Sequence, residues 1–356
     1  KVKKVRKVQK TKKIMITTDL ENPTPKQIED VKMKVLEAYE DTFTVTSEDT
    51  LPPQKCKPVK IVLKEEAQPV RHTNVRQIPH ALRDKTLVKL EEMEKKGIIT
   101  DHEGPTTWCH PMVVVPKKNG DVRVTTDLSG LNKQLKRPHF PMTTPKQAVS
   151  ELTHGLKYFS TMDAANGYWQ VPLDEESQDL TCFMTPIGPK KYLRLPMGLS
   201  QSQDDYNRES REIIKNVDNS CKVLDDVATG NRTFKGMLEQ VIQILDNCRE
   251  KGITLNREKF EFGKQELKYA GYILSKDGIR ADPAKLEAIA KFPAPTTRKE
   301  LRSFLGLVEQ LASFSKDLSG LLEPIRPLLR EKNMFVWEAA QQLTQSQGLP
   351  KASKQG

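Results

Sequence analysis

Three aspartates give this sequence its first chemical suggestion. Asp163 interrupts the strand-like apolar stretch 157–173, where a carboxylate is costly unless it is paired or bound to a metal. Asp225 and Asp226 lie between two short apolar pieces in 220–230, which suggests a hairpin with the acids at its bend. Alone, an Asp-Asp pair at a bend is ordinary, because Asp favours turns. If both segments share one sheet, two or three carboxylates converge, and such a cluster stays ionised only against a compensating charge. Mg²⁺ is the natural counter-charge, since it prefers carboxylate, water and phosphate oxygens. Two such ions about 4 Å apart can activate an attacking hydroxyl and stabilise the leaving oxygen of a phosphoryl displacement. Asp163, Asp225 and Asp226 are therefore candidate metal ligands and candidate catalytic residues.

Phosphate chemistry also needs cations. The net charge is +11, but eight Lys or Arg and no acid fall within residues 1–13, so the other 343 residues carry only +3. That tail either binds nucleic acid through counterion release or is a solvated leader. A more informative cluster lies inside the chain: from 116 to 146, seven basic residues face two acidic ones. Interior clustering in a weakly charged body points to a local phosphate-binding surface.

Several elements must hold these groups in place. Thr24-Pro25-Lys26-Gln27 reads as a capping box opening a helix. A second helix is expected over 79–96, closed by Gly97. Strands at 111–116 and 121–127 flank Asn119-Gly120, a strong short hairpin signal. A short helix opens near Ser202, with Asp204 and Asp205 in its first turn. Leu238, Val241, Ile242, Leu245 and Cys248 repeat at helical spacing up to Gly252. The stretch 268–275 reads as a strand. After Pro295 the pattern is helical, with a capping box at Thr297–Glu300 and a stripe through Leu301, Phe304, Leu305, Val308 and Leu311.

Composition bounds the rest. Hydrophobic residues are 36% and charged residues 29%, a globular balance that allows two or three packed units. No apolar run reaches the length of a membrane helix, and the basic N-terminus has no apolar segment behind it. Five scattered cysteines without a Cys-x-x-Cys pair argue against zinc or a disulfide framework and for a reducing compartment.

Seven segments, in order, resemble the reverse transcriptases of gypsy-class LTR retrotransposons. They are 113–133, 159–170 (Phe-Ser-Thr-Met-Asp-Ala-Ala-Asn-Gly-Tyr-Trp-Gln), 192–199 (Tyr-Leu-Arg-Leu-Pro-Met-Gly-Leu), 223–226 (Val-Leu-Asp-Asp), 255–263, 269–275 (Tyr-Ala-Gly-Tyr-Ile-Leu-Ser) and 298–307. The resemblance runs roughly from Ile78 to Trp337. It implies an α+β right-hand polymerase: fingers, a palm with an antiparallel sheet, and a helical thumb. The divisions expected are a basic tail and helical leader at 1–50, fingers and palm at 51–278, thumb and connection at 279–337, and a disordered tail at 338–356.

The same resemblance implies roles at matching positions. Asp163 is similar to the first metal-binding acid of the palm, and Asp225 and Asp226 to the Tyr-x-Asp-Asp pair. Lys117, with Lys118 as the alternative register, and Arg123 match the fingers grip on the incoming triphosphate. Bidentate Arg and mobile Lys both suit phosphate. Tyr168 matches the steric gate against a ribose 2′-OH. Residues 195–199, with Met197 and Gly198, are expected against the nucleotide, and Lys259 near its triphosphate. Tyr269, Gly271 and Tyr272 match the hairpin that grips the primer end, and Arg298, Lys299 and Arg302 a thumb helix tracking the duplex.

The implied activity is RNA- and DNA-directed DNA synthesis from dNTPs on a template-primer, with two Mg²⁺ ions and Mn²⁺ as a substitute. The implied setting is a retroelement particle in the cytoplasm, or the nucleus, without a membrane. A missing ribonuclease H region or a second copy is the expected complement. Three departures stand out. Val223 replaces the usual Tyr, Met197 the usual Phe or Gln, and Gln203-Asp204-Asp205-Tyr206 an Ala-Pro-containing turn. The two acids there are read as favouring the helix N-terminus electrostatically. The departures also admit a domesticated or decayed copy that binds nucleic acid without polymerising.

Overall fold

Strand Tyr158–Asp163 alternates in a way that organises the molecule. In this computed structural model, which describes residues 18–44, 51–152, 154–309, 314, 318–331 and 333–337, Tyr158 and Met162 pack with Phe234, Met237 and Val241 of helix Phe234–Lys251. Ser160 Oγ donates to Met237 Sδ at 2.9 Å on the same face. Strand side chains alternate, so Phe159 and Asp163 project from the opposite face. The basic tail, the C-terminal tail and Leu311 lie outside the described residues.

The palm sheet has four antiparallel strands in the order Glu261–Lys264, Tyr158–Asp163, Asp226–Asn231, Ser220–Val223. Helix Phe234–Lys251 backs it with the periodicity expected: Leu238, Val241, Leu245 and Cys248 are buried, and Gly252 closes the helix at φ 67°. Burial of each large apolar side chain there contributes about 1.5–3 kcal/mol. Helix Pro25–Ala38 adds Val31, Val35 and Leu36 to the same core, and its Thr24–Gln27 capping box is complete.

The fingers are a five-stranded sheet ordered Ile99–Asp101, Gly188–Tyr192, Phe183–Thr185, His110–Pro116, Val122–Thr126. The hairpin signal is fulfilled: Val114 pairs with Val124 and Val115 with Arg123, and Gly120 takes φ 79° at the tip. Lys85, on helix His80–Lys95, donates to the Gly120 carbonyl at 2.6 Å and ties the tip to that helix.

Residues 268–275 form two strands, not one. Glu266–Tyr269 and Tyr272–Ser275 pair antiparallel and continue to Gly278–Ala281, because Ala270 and Gly271 turn the chain at φ 48° and 87°. The hairpin implied by the resemblance is thus the correct reading and the single strand is not. Beyond it, helix Arg298–Glu309 buries Leu301, Phe304, Leu305 and Val308 as its spacing requires. Its capping box is shifted: Thr297 Oγ1 accepts the Glu300 N–H, but the Glu300 carboxylate is held by Thr296.

Asp204 and Asp205 stand in the first turn of their helix, as expected, but are held by more than its terminus. Both lie in helix Ser202–Ser210, yet both are buried and bonded to arginine: Arg137 Nε to Asp204 at 2.8 Å and Arg208 to Asp205 at 2.9 Å. Ion pairing is thus added to the helix terminus in their setting. No helix among the described residues is long and apolar enough to cross a membrane, and the five cysteines are unbonded.

Candidate active site

The palm register decides where the acids meet. Asp163 and Asp226 are direct cross-strand partners, on the face away from helix Phe234–Lys251. The Ala164 N–H donates to the Asp225 carbonyl at 3.1 Å, which locks the two chain segments side by side. Val223 pairs with Asp226 across a two-residue turn, and Leu224 holds that turn at φ 53°, a conformation L-residues rarely adopt. All three acids thus stand at one end of one sheet.

Their electrostatics show crowded negative charge. Asp226 keeps solvent access, but partial desolvation by the packed strands, then its hydrogen bond and charge contact with Asp163, pushes its carboxyl up to about 6. Burial raises the Asp225 carboxyl, and the Asp163 charge adds to the effect. Asp225 Oδ1 is buried beside the Tyr206 hydroxyl, which offsets part of that rise. Two lysines answer this charge: Lys222 faces Asp225, and Lys259 Nζ stands 2.8 Å from Asp163 Oδ2, a hydrogen bond that holds its ammonium pKa above the usual value.

Among the described residues, no three acidic, His or Cys side chains are close enough to cage a cation by themselves. The three carboxylates instead stand as a looser set at one sheet end. Such a set suits Mg²⁺, which is usually held by one or two carboxylates, with water and substrate phosphates completing the shell. The buried Asp225 oxygen, with no cationic hydrogen-bond partner, fits that requirement.

The other predicted residues distribute unevenly. Lys117, Arg123 and Met197 line one cavity of about 130 Å³ together with Asn166 and Trp169, whereas Lys118 is not part of its lining. Tyr168 is half-buried beside Tyr206, ring centroids 5.2 Å apart, and burial followed by the Asp225 charge raises its hydroxyl pKa. Gly198 takes φ 92°, where a Cβ would meet the Thr126 carbonyl at 3.4 Å. Leu195 and Leu199, expected against the nucleotide, are core residues instead. Tyr269 and Tyr272 are buried, the former donating to the Asp226 carbonyl at 3.0 Å, and Gly271 occupies the tight turn between them. Arg298 is engaged by the Glu331 and Asn333 carbonyls, while Lys299 and Arg302 are exposed on the same helix.

Sequence reasoning missed Gly167, Tyr206 and Lys222 as parts of this site. A Cβ on Gly167 would sit 2.5 Å from Asp225 Oδ1 and 2.6 Å from the Tyr206 ring. Lys222 lies over that ring at 5.1 Å. A lysine within the apolar run beside the acid pair was the available signal.

An antiparallel sheet that presents acids at one end, packed with a sheet carrying a basic hairpin and with a helical unit, matches a right-hand nucleic-acid polymerase fold. Solved structures agree. The foamy viral protease-reverse transcriptase dRH, in complex with ds DNA, is similar over 94% of this chain and 59% of its own, with TM-score 0.83 and 22% identity. Residues 115–274 match the family described as reverse transcriptase (RNA-dependent DNA polymerase). The Pol polyprotein from transposon 297 of Drosophila melanogaster is 30% identical over 68% of this chain and 23% of its own length. That from transposon gypsy of the same fly is 29% identical over 69% and 24%. The chain belongs to the reverse transcriptases of gypsy-type LTR retrotransposons, a family of nucleotidyltransferases that works with divalent metal ions. It spans about a quarter of the length of these curated relatives.

Proposed function

We propose that this chain extends a primer 3′-OH with dNTPs on RNA and DNA templates, using two Mg²⁺ ions held by Asp163, Asp225 and Asp226. The observation that carries the reading is the Asp163–Asp226 register, which brings acids 63 residues apart to one end of a sheet. Bound there, the metal supplies charge neutralisation and activation of the attacking hydroxyl. Lys259 sets a positive charge 2.8 Å from Asp163. Lys117 and Arg123 receive the triphosphate, Tyr168 excludes a 2′-OH, and Met197 and Gly198 support the nucleotide from below. Tyr269, Gly271 and Tyr272 shape the primer-gripping turn, and Lys299 and Arg302 follow the duplex backbone. Positioning and electrostatics supply most of the rate, as is general for phosphoryl transfer. Longer Pol polyproteins among the relatives support work as part of a larger chain.

The test is dTTP incorporation on poly(rA)·oligo(dT) with Mg²⁺ or Mn²⁺, comparing the native chain with Asp225→Asn. Incorporation lost in the variant supports the reading. Salt-sensitive duplex binding without incorporation by the native chain selects a decayed copy that only binds.

A further inference from the structure

Beside the Leu224–Asp225 turn runs a groove of about 520 Å³, and its two walls differ sharply in how they are held. One wall is the palm: Asn207 on helix Ser202–Ser210, then Lys222 and Leu224. The other is a strap without regular structure that includes Phe140 and Met142. Between Arg137 and Thr143, the described residues make two hydrogen bonds, and both go to one side chain. Asp204 Oδ1 accepts the Phe140 N–H at 3.1 Å, and Asp204 Oδ2 accepts Arg137 Nε at 2.8 Å.

Asp204 is 3% exposed. A buried carboxylate is costly unless fully paired, and here both of its oxygens are used. The same helix reaches the palm wall one turn later, where Asn207 Oδ1 accepts Lys222 Nζ at 3.2 Å. Lys222 precedes Val223, the cross-strand partner of Asp226. One helix therefore fastens the strap on one side and the acid-bearing hairpin on the other.

We infer that Asp204 is a positioning residue for the template-primer: it fixes the strap, and so the width of the groove, relative to the catalytic turn. The inference rests on the polymerase reading for the identity of the ligand. It gives the acid at this departure from the family pattern a task, with Arg137 as the partner that makes its burial tolerable. Asp204 touches no reacting atom. Its loss changes how the duplex is seated and leaves the nucleotide cavity around Lys117 and Arg123 intact.

The test uses the full chain with Arg137→Gln, Asp204→Asn and the double variant, which replaces the ion pair by neutral groups of similar size. A fluorescein-labelled RNA–DNA primer-template reports duplex Kd by anisotropy, and extension assays separate KM for template-primer from KM for dTTP. Arg137→Gln strands a buried charge, so duplex Kd and template-primer KM are expected to rise about tenfold, with dTTP KM within about twofold. The double variant is expected to return within about threefold of the native chain, since the uncompensated charge is gone. Unchanged duplex Kd in variants whose melting temperature has fallen would reduce Asp204 to a stability element and overturn the inference. Template-primer and dTTP KM rising together would do the same. Duplex binding is measured without catalysis, so a native chain that fails to extend sinks the polymerase reading while the Kd comparison still decides the role of Asp204.

Discussion

Replacing Asp226 by Asn is expected to make the protein more stable while ending its chemistry. The Asp226 carboxyl is pushed from 3.8 to about 6 by desolvation and by Asp163. The folded chain therefore binds that proton more tightly than the unfolded chain, and ionising it costs stability. The cost is absent below the unfolded value, grows as pH rises through about 6, and is complete near neutrality. At roughly 1.4 kcal/mol per pH unit its ceiling is about 3 kcal/mol. Asp226 is exposed, so solvent screening reduces this to about 1 kcal/mol. For a chain of this size that corresponds to about 2 °C in melting temperature. The assay is thermal unfolding of native chain and variant in EDTA, at about pH 7.5 and about pH 4, and again with Mg²⁺ at the higher pH. The variant is expected to melt higher at pH 7.5 in EDTA, to lose that advantage at pH 4, and to gain less from Mg²⁺. A variant that melts at or below the native chain in EDTA at pH 7.5 refutes the charge-crowding account, as does an advantage that persists undiminished in acid.

Four further outcomes follow from the same geometry. Asp225→Asn is expected to lower single-nucleotide incorporation by about a thousandfold or more, with duplex Kd by anisotropy within about threefold. Gly167→Ala places a methyl 2.5 Å from Asp225 Oδ1, so kcat is expected to fall about a hundredfold and unfolding to show a loss of about 1–3 kcal/mol. Tyr168→Ala is expected to reduce discrimination between dNTP and rNTP at least about tenfold in competing incorporation assays, if the ring serves as the proposed gate against a 2′-OH. Lys117→Ala is expected to raise dNTP KM about tenfold and Lys118→Ala less than about twofold, because of the two only Lys117 lines the cavity proposed for the nucleotide; the reverse ranking would move the register by one residue.

Local signals in the sequence predicted local structure well. Thr24 and Gln27 cap each other, Gly97 and Gly252 take positive φ after their helices, and Asn119-Gly120 turns a hairpin. Each depends on neighbours within a few residues. The family resemblance placed Asp163 with Asp225 and Asp226, which periodicity alone left open. What stayed hidden depends on partners far along the chain. Asp204 looked like a helix-terminus acid because Arg137 is 67 positions away, a contact only the tertiary fold creates. Arg298 looked like a free cation because the carbonyls of 331 and 333 that hold it approach only after the thumb has packed. Residues 268–275 read as one strand because Ala270, not a turn-forming residue by type, takes φ 48° under the constraint of the paired strands. The Leu224 conformation was equally illegible: its strain of about 1–3 kcal/mol is imposed by the pairing of Val223 with Asp226.

Strand Tyr158–Asp163 has a mechanical consequence. Tyr158 and Met162 belong to the core behind the sheet, Phe159 to the core shared with the thumb, and Ala164, one residue past the strand, to the core under the fingers. Three apolar bodies thus bear on a single ribbon of seven residues, and Asp163 is its penultimate member. A cavity opened in any of them pulls on that ribbon, so damage scattered across the whole molecule registers at one carboxylate. Copies drifting without selection are expected to lose catalytic alignment well before they lose the ability to fold.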